Sequence, residues 1–320
     1  MHLRTLLALL GLSLINAAVG QTYPNRPIRF VSTYAAGGPV DLVARPVAQR
    51  LYETMGQPVI IESRPGANGN IGADLVAKST PDGYTLLLTS TSQLTINPSL
   101  YSKLPFDVRK DFAPVTLLSM TPTVLVLHPS VPAASVRALV AMAKAQPDRL
   151  RYASAGSGSI NHLSAELFRM IEGVDLIHVP YKGGGPALTD VVAGQVDLMI
   201  ISIPTTLPFI KAGRLKALAV SAAQRYPALP EVPTMAEAGT PGFQSSAGVA
   251  LMAPAAAPKQ IVARLNAEIV KALNSPDIRQ KLLAQGVDLI GNTPEELSAI
   301  LSDETERWAK VIKAGNIRPE

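Results

Sequence analysis

The 320-residue sequence predicts an α/β protein with two lobes, in which parallel or mixed sheets are flanked by helices. Three observations predict this class. Strand-like apolar runs alternate with segments whose apolar residues recur at helical spacing, as in repeated βα units. The chain is long enough for two hydrophobic cores. Long amphipathic segments close the chain after a stretch rich in proline.

The elements follow from local patterns along the chain. Short apolar or alternating runs predict strands at 28–31, 59–62, 84–89, 123–128, 151–153, 176–180, 196–201, 215–220 and 248–252. Pro39 suits the first position of a helix, and Ser135 can cap another through its hydroxyl. Apolar spacing predicts helices at 39–55, 73–78, 135–144, 159–171, 186–193, 258–274, 276–285 and 294–314.

The order of these elements predicts how the lobes are divided. The late helices resemble the outer cover of the first lobe, so the chain should cross between lobes twice. We place the crossings near 121–124 and 246–251. The predicted division is therefore a leader at 1–20, a first lobe from 21–122 and 247–320, and a second lobe from 123–246.

Residues 1–20 have the pattern of a secretory signal peptide. Arg4 precedes the apolar run 6–14, and small residues stand at 17–20. A membrane anchor is the alternative, but the apolar run is short for spanning a bilayer. The chain contains no cysteine, which excludes a lipoprotein anchor, disulfides, cysteine metal sites and thiol catalysis. We therefore expect export of the mature protein.

The charge and the aromatic content narrow the possible partners. The net charge is +5 at pH 7 and its carriers are scattered along the chain, which is more typical of solvated surfaces than of a nucleic-acid patch. Aromatic residues make up 5% of the chain, so a surface that stacks bases is not expected. The sequence predicts neither a cofactor nor nucleic-acid binding.

A glycine-rich turn follows the first predicted strand, in the segment Tyr34–Asp41. Gly37 and Gly38 would let the backbone approach a ligand, and the helix that begins at Pro39 would present its positive end to an anion. We include Tyr34, Ala35, Gly37, Gly38 and Asp41 in the candidate site. Asp41 has two interpretations, a helix-capping carboxylate or an acceptor for a ligand hydroxyl or amine.

A second turn of this kind follows the strand predicted at 151–153. Its candidate ligand-binding residues are Ala155, Gly156, Ser157, Gly158 and Ser159. Both turns come after strands, and α/β sheets bind ligands at the carboxyl ends of their strands. Two anion-binding turns in one chain suggest a carboxylate that is held from both sides by free amide hydrogens.

Two residues beyond the second turn could also contact a ligand. His162 lies a few residues into the following helix, where it is either a ligand contact or a buried histidine with its hydrogen bonds satisfied. Tyr181 begins a third strand-to-helix turn, where it could bind a ligand or brace the turn. The candidate set is completed by Ser90, Ser92 and Ser202.

The signatures of enzymes are poorly represented. The chain has no HExxH metal motif, no Gly-x-Ser-x-Gly nucleophile elbow and no P-loop ending after Gly183–Gly185. Ser157 stands between two glycines, but no general base is recognisable near it. We therefore interpret Ser157 as a hydrogen-bond donor to an anion, with a secreted serine hydrolase as the rival hypothesis, and we predict no metal site.

Several motifs, taken together, resemble one family, the Bug-type (TctC-like) extracytoplasmic solute receptors of tripartite tricarboxylate transporters. The resemblance covers essentially the whole mature chain. The motifs are YAAGGPVD at 34–41, RPGANGNIGAD at 64–74, DGY at 82–84, INPSLY at 96–101, DFAP at 111–114, ASAG at 153–156, VPYKG at 179–183, GQVDLM at 194–199 and VPTMAEAG at 232–239.

The resemblance implies a type II periplasmic binding protein fold whose two lobes close by a hinge of two crossing segments. It implies that the loops 34–41 and 153–159 hold one carboxylate of a small ligand, partly through ordered water. It also implies a periplasmic location, a monomer and a partner permease with a large and a small membrane subunit. A receptor that reports its ligand to a membrane signalling protein is the alternative that the sequence leaves open.

Two positions depart from the family pattern. Ile201 stands where relatives often carry Asp, and Gly248 stands where they often carry a large aromatic residue. The first change would remove a partner for a ligand amine, and the second would open space in the cleft. From these changes we expect a bulkier ligand without an amine, such as an aromatic carboxylate.

Overall fold

The computed structural model describes residues 23–36 and 39–319. The predicted leader at 1–20 and the glycines Gly37 and Gly38 lie outside the described residues. The strands in the described part are β1 (Ile28–Ser32), β2 (Val59–Ser63), β3 (Thr85–Ser90), β4 (Phe112–Leu127), β5 (Arg151–Ser154), β6 (Ile177–Pro180), β7 (Leu198–Ser202), β8 (Lys216–Val220) and β9 (Ser246–Pro254).

The helices alternate with these strands over most of the chain, as the sequence predicts. They are α1 (Pro39–Met55), α2 (Asn70–Ala77), α3 (Thr91–Leu100), α4 (Val108–Asp111), α5 (Val136–Ala145), α6 (Ile160–Glu172), α7 (Gly184–Val192), α8 (Ile203–Lys211), α9 (Lys259–Leu273), α10 (Pro276–Ala284) and α11 (Pro294–Ala314). The predicted cap of α5 is confirmed, because the Ser135 hydroxyl accepts a hydrogen bond from the Ala138 amide.

The strands form one mixed sheet in the order β2-β1-β3-β9-β4-β7-β5-β6, and β8 pairs with β4 beside this path. Strand β1 is parallel to β2 and β3, and β5 is parallel to β6 and β7. Strands β3, β7 and β8 join the rest through antiparallel pairs with β9 or β4. The predicted mixed α/β class is confirmed.

Strand β4 belongs to both halves of this sheet. Its first part pairs with β9 from Phe112 to Pro122, and its second part pairs with β7 from Thr123 to Leu127. The sequence predicts only the second part, at 123–128. The division into lobes at 121–124 and 246–251 stays a prediction, and both predicted crossings fall on the paired strands β4 and β9.

The registers show how the strand ends are placed. Ser90, the carboxyl end of β3, is level with Val249 and through it with Ser119 of β4. Ser202, the carboxyl end of β7, is level with Thr123 and approaches from the opposite direction. The two levels lie four residue steps apart on β4, or about 13 Å along the strand. The carboxyl edges of the two half-sheets therefore face each other.

The second half-sheet is covered on both faces. In β7, Leu198 and Ile200 enter one hydrophobic core, and Met199 and Ile201 enter another. Successive side chains of a strand point to opposite faces, so a strand with helices on both sides must be apolar throughout. This explains why the predicted strand 196–201 becomes a continuous apolar run after Asp197, at 198–201. The run alone predicts a buried strand, but not its neighbours.

The last helix, α11, contacts both halves. Its start is fixed by a capping box, in which Thr293 and Glu296 each satisfy a backbone amide of the other. Near its end, Trp308 is 1% exposed. It lies in a cluster that we call the bridging cluster, since it joins α3, α6 and α11: Ile96, Leu100, Leu163, Trp308, Val311 and Ile312.

Helix α11 also carries a buried carboxyl group, which lies beside the start of β9. Glu304 is 4% exposed, and burial is the main cause that raises its pKa, against the lowering effects of Arg307, Thr91 and Ser246. A buried carboxyl with a raised pKa resists ionisation. In the unfolded chain it ionises near its usual value of about 4.3. Its contribution to stability is therefore complete below that pH and decreases as the pH rises through the folded pKa.

Glu304→Gln should raise the free energy of unfolding at pH 8, by about 1 kcal/mol, because the amide keeps the shape and removes the cost of the buried charge. At pH 5 the gain should be smaller. Urea unfolding at both pH values measures it, with the exposed Glu306→Gln on the same helix as control. A gain that is equal at the two pH values would contradict the assignment.

None of the helices in the described part of the chain combines the length and the apolar character that a membrane span requires.

Candidate functional site

The first group of candidate residues lies where β1 and β3 end. These strands are parallel neighbours, so their carboxyl ends share one edge of the sheet. The Tyr34 hydroxyl donates to Ser90 Oγ at 2.8 Å, and Ser90 Oγ is 2.8 Å from Ser92 Oγ. Burial raises the pKa of Tyr34, so the phenol keeps its proton. Ser90 and Ser92 are buried, whereas Ala35 is exposed.

Ser90 also caps helix α3. Its hydroxyl accepts a hydrogen bond from the Gln93 amide at 3.3 Å, which satisfies one free donor of the first turn. The positive end of the α3 dipole therefore lies beside the three hydroxyl groups of Tyr34, Ser90 and Ser92. Hydroxyl groups at such a position suit a negatively charged guest.

Asp41 forms hydrogen bonds within helix α1. Its side chain is buried, and Oδ2 accepts from Arg45 Nη2 at 2.7 Å and from Arg45 Nε at 3.1 Å. A carboxylate in the first helical turn also complements the dipole. These contacts favour the structural interpretation of Asp41. Its role as a ligand acceptor stays a prediction.

The second group lies where β5, β6 and β7 end. These strands are parallel, so the turn 155–159, Tyr181 and Ser202 share one edge. The side chain of Asn161, which follows the turn, donates to the Ile200 carbonyl at 2.8 Å. This bond ties the start of α6 to β7. The two groups of candidate residues thus occupy the two facing edges of the sheet.

The sequence predicts that amide hydrogens of this turn bind an anion, but several of them form hydrogen bonds within the protein. The Gly156 amide donates to Ser154 Oγ at 3.1 Å, and the Gly158 amide donates to His162 Nδ1 at 3.0 Å. The Ser159 amide donates to the Gly156 carbonyl at 3.1 Å. Three of the donors that were expected to hold an anion therefore bond within the turn and its helix. Ala155, Ser157 and Ser159 are half-buried.

The turn rests on a stack of three rings. His162 and His178 lie face to face with centroids 4.0 Å apart, and Tyr152 stacks on His178 at 4.9 Å. His178 Nε2 is 2.6 Å from Ser154 Oγ, the acceptor for Gly156. Sequence analysis missed Ser154 and His178, although Ser154 is the last residue of the strand before the turn.

The far end of the stack is fixed by charged groups. The Tyr152 hydroxyl donates to Glu166 Oε1 at 2.5 Å, and Arg169 Nη1 donates to the same oxygen at 2.8 Å. His162 Nε2 is 3.9 Å from Glu166 Oε1. These contacts favour the interpretation of His162 as a buried histidine with hydrogen bonds inside the protein, and its role as a ligand contact stays a prediction.

Tyr181 braces its turn. Its hydroxyl donates to Asp190 Oδ2 at 2.7 Å, and its amide donates to the Ser154 carbonyl at 3.0 Å. Burial, followed by the bond to Asp190, raises the pKa of Tyr181 to about 12. The bracing interpretation of Tyr181 is thus the one its contacts support. Ser202 precedes α8 and lies 2.8 Å from Thr205 through their hydroxyl oxygens.

The two halves touch at one end of the candidate site. A Cβ atom added to Gly158 would lie well inside van der Waals contact with Leu100 Cδ2. Leu100 ends helix α3, whose first turn holds Ser90 and Ser92. A helix rises about 1.5 Å per residue, so roughly 15 Å separates this contact from Ser90.

The residues at both positions that depart from the family pattern pack closely against neighbouring side chains. A Cβ atom on Gly248 would lie 2.5 Å from Thr91 Cγ2 and 3.1 Å from Met120 Sδ, so the small residue opens no space. Ile201 is 4% exposed and packs in a core with Val124. The expectation that Gly248 enlarges the cleft is wrong, since Thr91 fills the space. The inference of a bulkier ligand therefore loses its basis.

No group of three or more His, Asp or Glu side chains that could hold a metal ion is present within residues 23–36 and 39–319.

Comparisons with known proteins agree with this geometry. Residues 43–317 match the family model for the tripartite tricarboxylate transporter family receptor, TctC. The chain is 39% identical to protein BugT of Bordetella pertussis over 319 residues, which is 98% of each chain. It is thereby related to a Bug protein, as the resemblance implied.

Two solved structures from Rhodopseudomonas palustris share the fold. Rpa4515, solved with adipate, has a TM-score of 0.86 at 36% identity and covers 93% of this chain and 100% of its own. MatC, solved with bound malate, has a TM-score of 0.82 at 36% identity and covers 91% of this chain and 100% of its own.

The matched proteins are periplasmic solute-binding receptors rather than enzymes, which decides against the serine hydrolase. The predicted periplasmic binding protein fold is confirmed by the same neighbours. The chain belongs to the tripartite tricarboxylate transporter receptor family, TctC, and is a solute-binding protein of the Bug type.

Proposed function

We propose that this protein is a periplasmic receptor that holds a small carboxylate between its two half-sheets and delivers it to a permease with a large and a small membrane subunit. The observation that supports the proposal best is the placement of two hydroxyl-rich strand ends, Ser90 and Ser202, on facing edges whose levels differ by about 13 Å along β4. A small extended molecule can contact both edges at once.

The first edge supplies the chemistry for a carboxylate. Tyr34, Ser90 and Ser92 form a chain of hydroxyl groups at the start of α3. Hydrogen bonds from hydroxyl groups to an ionised oxygen are stronger than those between neutral groups. Structures of two relatives hold adipate and malate, both small dicarboxylates. We therefore expect a ligand of this class, and we keep an aromatic carboxylate only as a compound to test.

The remaining parts of the proposal rest on the pattern of the leader and on the resemblance to the family. The leader at 1–20 directs export to the periplasm, where the mature chain acts as a monomer without a cofactor. The two halves close over the ligand by bending at the segments that join them. Closure is driven by contacts with the ligand that exist only in the closed form. The closed form is the one that the permease recognises.

Calorimetric titration of the mature chain, residues 21–320, with citrate, adipate, malate, glutamate and terephthalate tests the proposal. We expect at least one of the acids to bind, and Tyr34→Phe to weaken that binding about tenfold because Ser90 loses the hydroxyl donor that orients the Ser90 and Ser92 hydroxyl groups. Tyr52→Phe, at an exposed tyrosine, is the matched control. Absence of binding by all five acids, or an unchanged affinity in Tyr34→Phe, would argue against the site.

A further inference from the structure

The turn 155–159 resembles an anion-binding site, but two of its amide donors already form hydrogen bonds with side chains of the protein. His162 Nδ1 accepts the Gly158 amide hydrogen at 3.0 Å, and Ser154 Oγ accepts the Gly156 amide hydrogen at 3.1 Å. Both acceptors stand where a ligand oxygen would otherwise accept. His162 differs from Ser154 in one respect, because its acceptor atom can take up a proton.

The bond from Gly158 fixes the protonation state of the His162 ring. A ring nitrogen that accepts an N–H carries no proton of its own. A proton on Nδ1 would place two donors face to face and break the bond. Imidazole is the side chain whose charge can change between acidic and neutral pH. Protonation would release the Gly158 amide and add a positive charge beside the turn.

Charged and titratable groups pack around His162 from its own helix and from two strands. On its own helix, Glu166 Oε1 lies 3.9 Å from Nε2, and this carboxylate is also paired with Arg169 at 2.8 Å. Arg169 in turn contacts Asp175 at 3.3 Å. From β6, His178 stacks on the ring at 4.0 Å, and from β5, Tyr152 lies 6.2 Å away. Leu163 and Leu100, on the side of the bridging cluster, are apolar.

We propose that His162 selects ionised carboxylates by exchanging a proton for the ligand. In the free protein, neutral His162 holds the Gly158 amide. When a carboxylate enters, one of its oxygens accepts that amide hydrogen, and Nδ1 takes a proton from solvent and becomes a second donor. The ligand brings one negative charge and the ring gains one positive charge. A neutral amide or ester of the same acid lacks the charge that stabilises the protonated ring.

The sign of the pH dependence follows from this exchange. Binding is coupled to uptake of a proton, so affinity should rise as the pH falls from 8 to 6 and level off only below the pKa of the ring in the free protein, where no proton remains to be taken up. The carboxylate itself stays ionised over this range, because its pKa lies near 4. The inference depends on the proposed function, since it needs a carboxylate at this turn.

Calorimetry on the mature chain tests the inference, with the same five acids as probes. Titrations at pH 7 in phosphate and in Tris, which differ in heat of ionisation, report the protons taken up. We expect uptake of a fraction of one proton per ligand, and an affinity about tenfold higher at pH 6 than at pH 8. Zero uptake together with a flat pH profile would overturn the inference while leaving the receptor function intact.

Two variants assign the effect to one ring. Asn places an oxygen near the position of Nδ1, so His162→Asn keeps the acceptor for Gly158 but cannot take up a proton. We expect it to bind at every pH as weakly as the unmodified protein does at pH 8, with no proton uptake. His128→Gln, at a histidine that contacts Ser130 far along β4, should behave like the unmodified protein. A pH profile of His162→Asn that matches the unmodified protein would overturn the assignment.

A measurement without a variant keeps the inference testable if His162→Asn fails to fold. Nitrogen chemical shifts of the ¹⁵N-labelled histidine rings distinguish the tautomers. We expect Nδ1 of one buried ring to be unprotonated in the free protein at pH 7 and protonated in the complex. A ring that keeps its tautomer on binding would contradict the exchange. If none of the five acids binds at any pH, the proposed function itself fails.

Discussion

Gly158→Ala should weaken carboxylate binding about a hundredfold. Gly158 has a φ of 77°, in the left-handed region that costs a residue with a Cβ about 1–2 kcal/mol. The added Cβ would also meet Leu100 Cδ2 directly, and Leu100 is 5% exposed in the bridging cluster. Because Leu100 is packed in the bridging cluster, relief of this contact requires Leu100 to change rotamer or the turn to shift away from helix α3. The two sides of the site would then no longer approach one ligand together.

Gly173→Ala separates strain from contact. Gly173 follows the same helix, α6, has a φ of 59°, and an added Cβ there would meet no atom within 4 Å. It should lower stability to a similar extent through strain and leave affinity unchanged. Leu100→Ala combined with Gly158→Ala should recover part of the lost affinity. Calorimetry and urea unfolding on all three proteins decide the matter, and equal affinities in Gly158→Ala and Gly173→Ala would refute the steric argument.

Trp308→Ala should lower the free energy of unfolding by about 3–5 kcal/mol. Trp308 is 1% exposed and packs in the bridging cluster against Leu163 of α6 and the apolar side of α3. Truncation leaves a cavity at the point where α11 holds the two halves together. Urea unfolding followed by far-UV circular dichroism measures the loss. Fluorescence cannot be used, since Trp308 is the only tryptophan of the chain.

Trp308→Phe is the matched control, because it keeps most of the ring volume. Trp308 Nε1 is buried without a hydrogen-bond partner in the structure. Removal of such a group recovers part of the cost of its burial. We therefore expect Trp308→Phe to lose much less stability than Trp308→Ala. A loss below 1 kcal/mol in Trp308→Ala would mean that the bridging cluster contributes little.

The helices with strong local signals were predictable from the sequence. Residues 294–314 form a helix with the predicted ends, because Pro294 and the capping box fix its start. Helix α3 was missed, since Pro98 interrupts its pattern and polar residues occupy positions that tertiary contacts bury. The first part of β4 was missed for a related reason. Pro114 and Pro122 argue against a strand locally, while pairing with β9 enforces one.

The candidate site was predictable in its outline but not in its hydrogen bonds. That strands end at the turns 34–41 and 153–159 follows from the order of apolar runs. The contact between Tyr34 and Ser90 joins residues 56 positions apart and depends on which strands are neighbours. Local spacing could not show that His162 and Ser154 occupy the amides of the second turn. Nor could it show that Thr91 fills the space beside Gly248.

The continuity of β4 also limits how the molecule can be divided. A fragment that began at Thr123 would keep the part of the strand that pairs with β7 and lose the part that pairs with β9. Each fragment would carry a cut strand end where the intact chain runs on without a break. The strands that lose a partner in each fragment would present unpaired edges, and such edges attract other chains and promote aggregation. Reporter domains for sensing the ligand therefore belong in surface loops rather than at the point where the pairing of β4 changes.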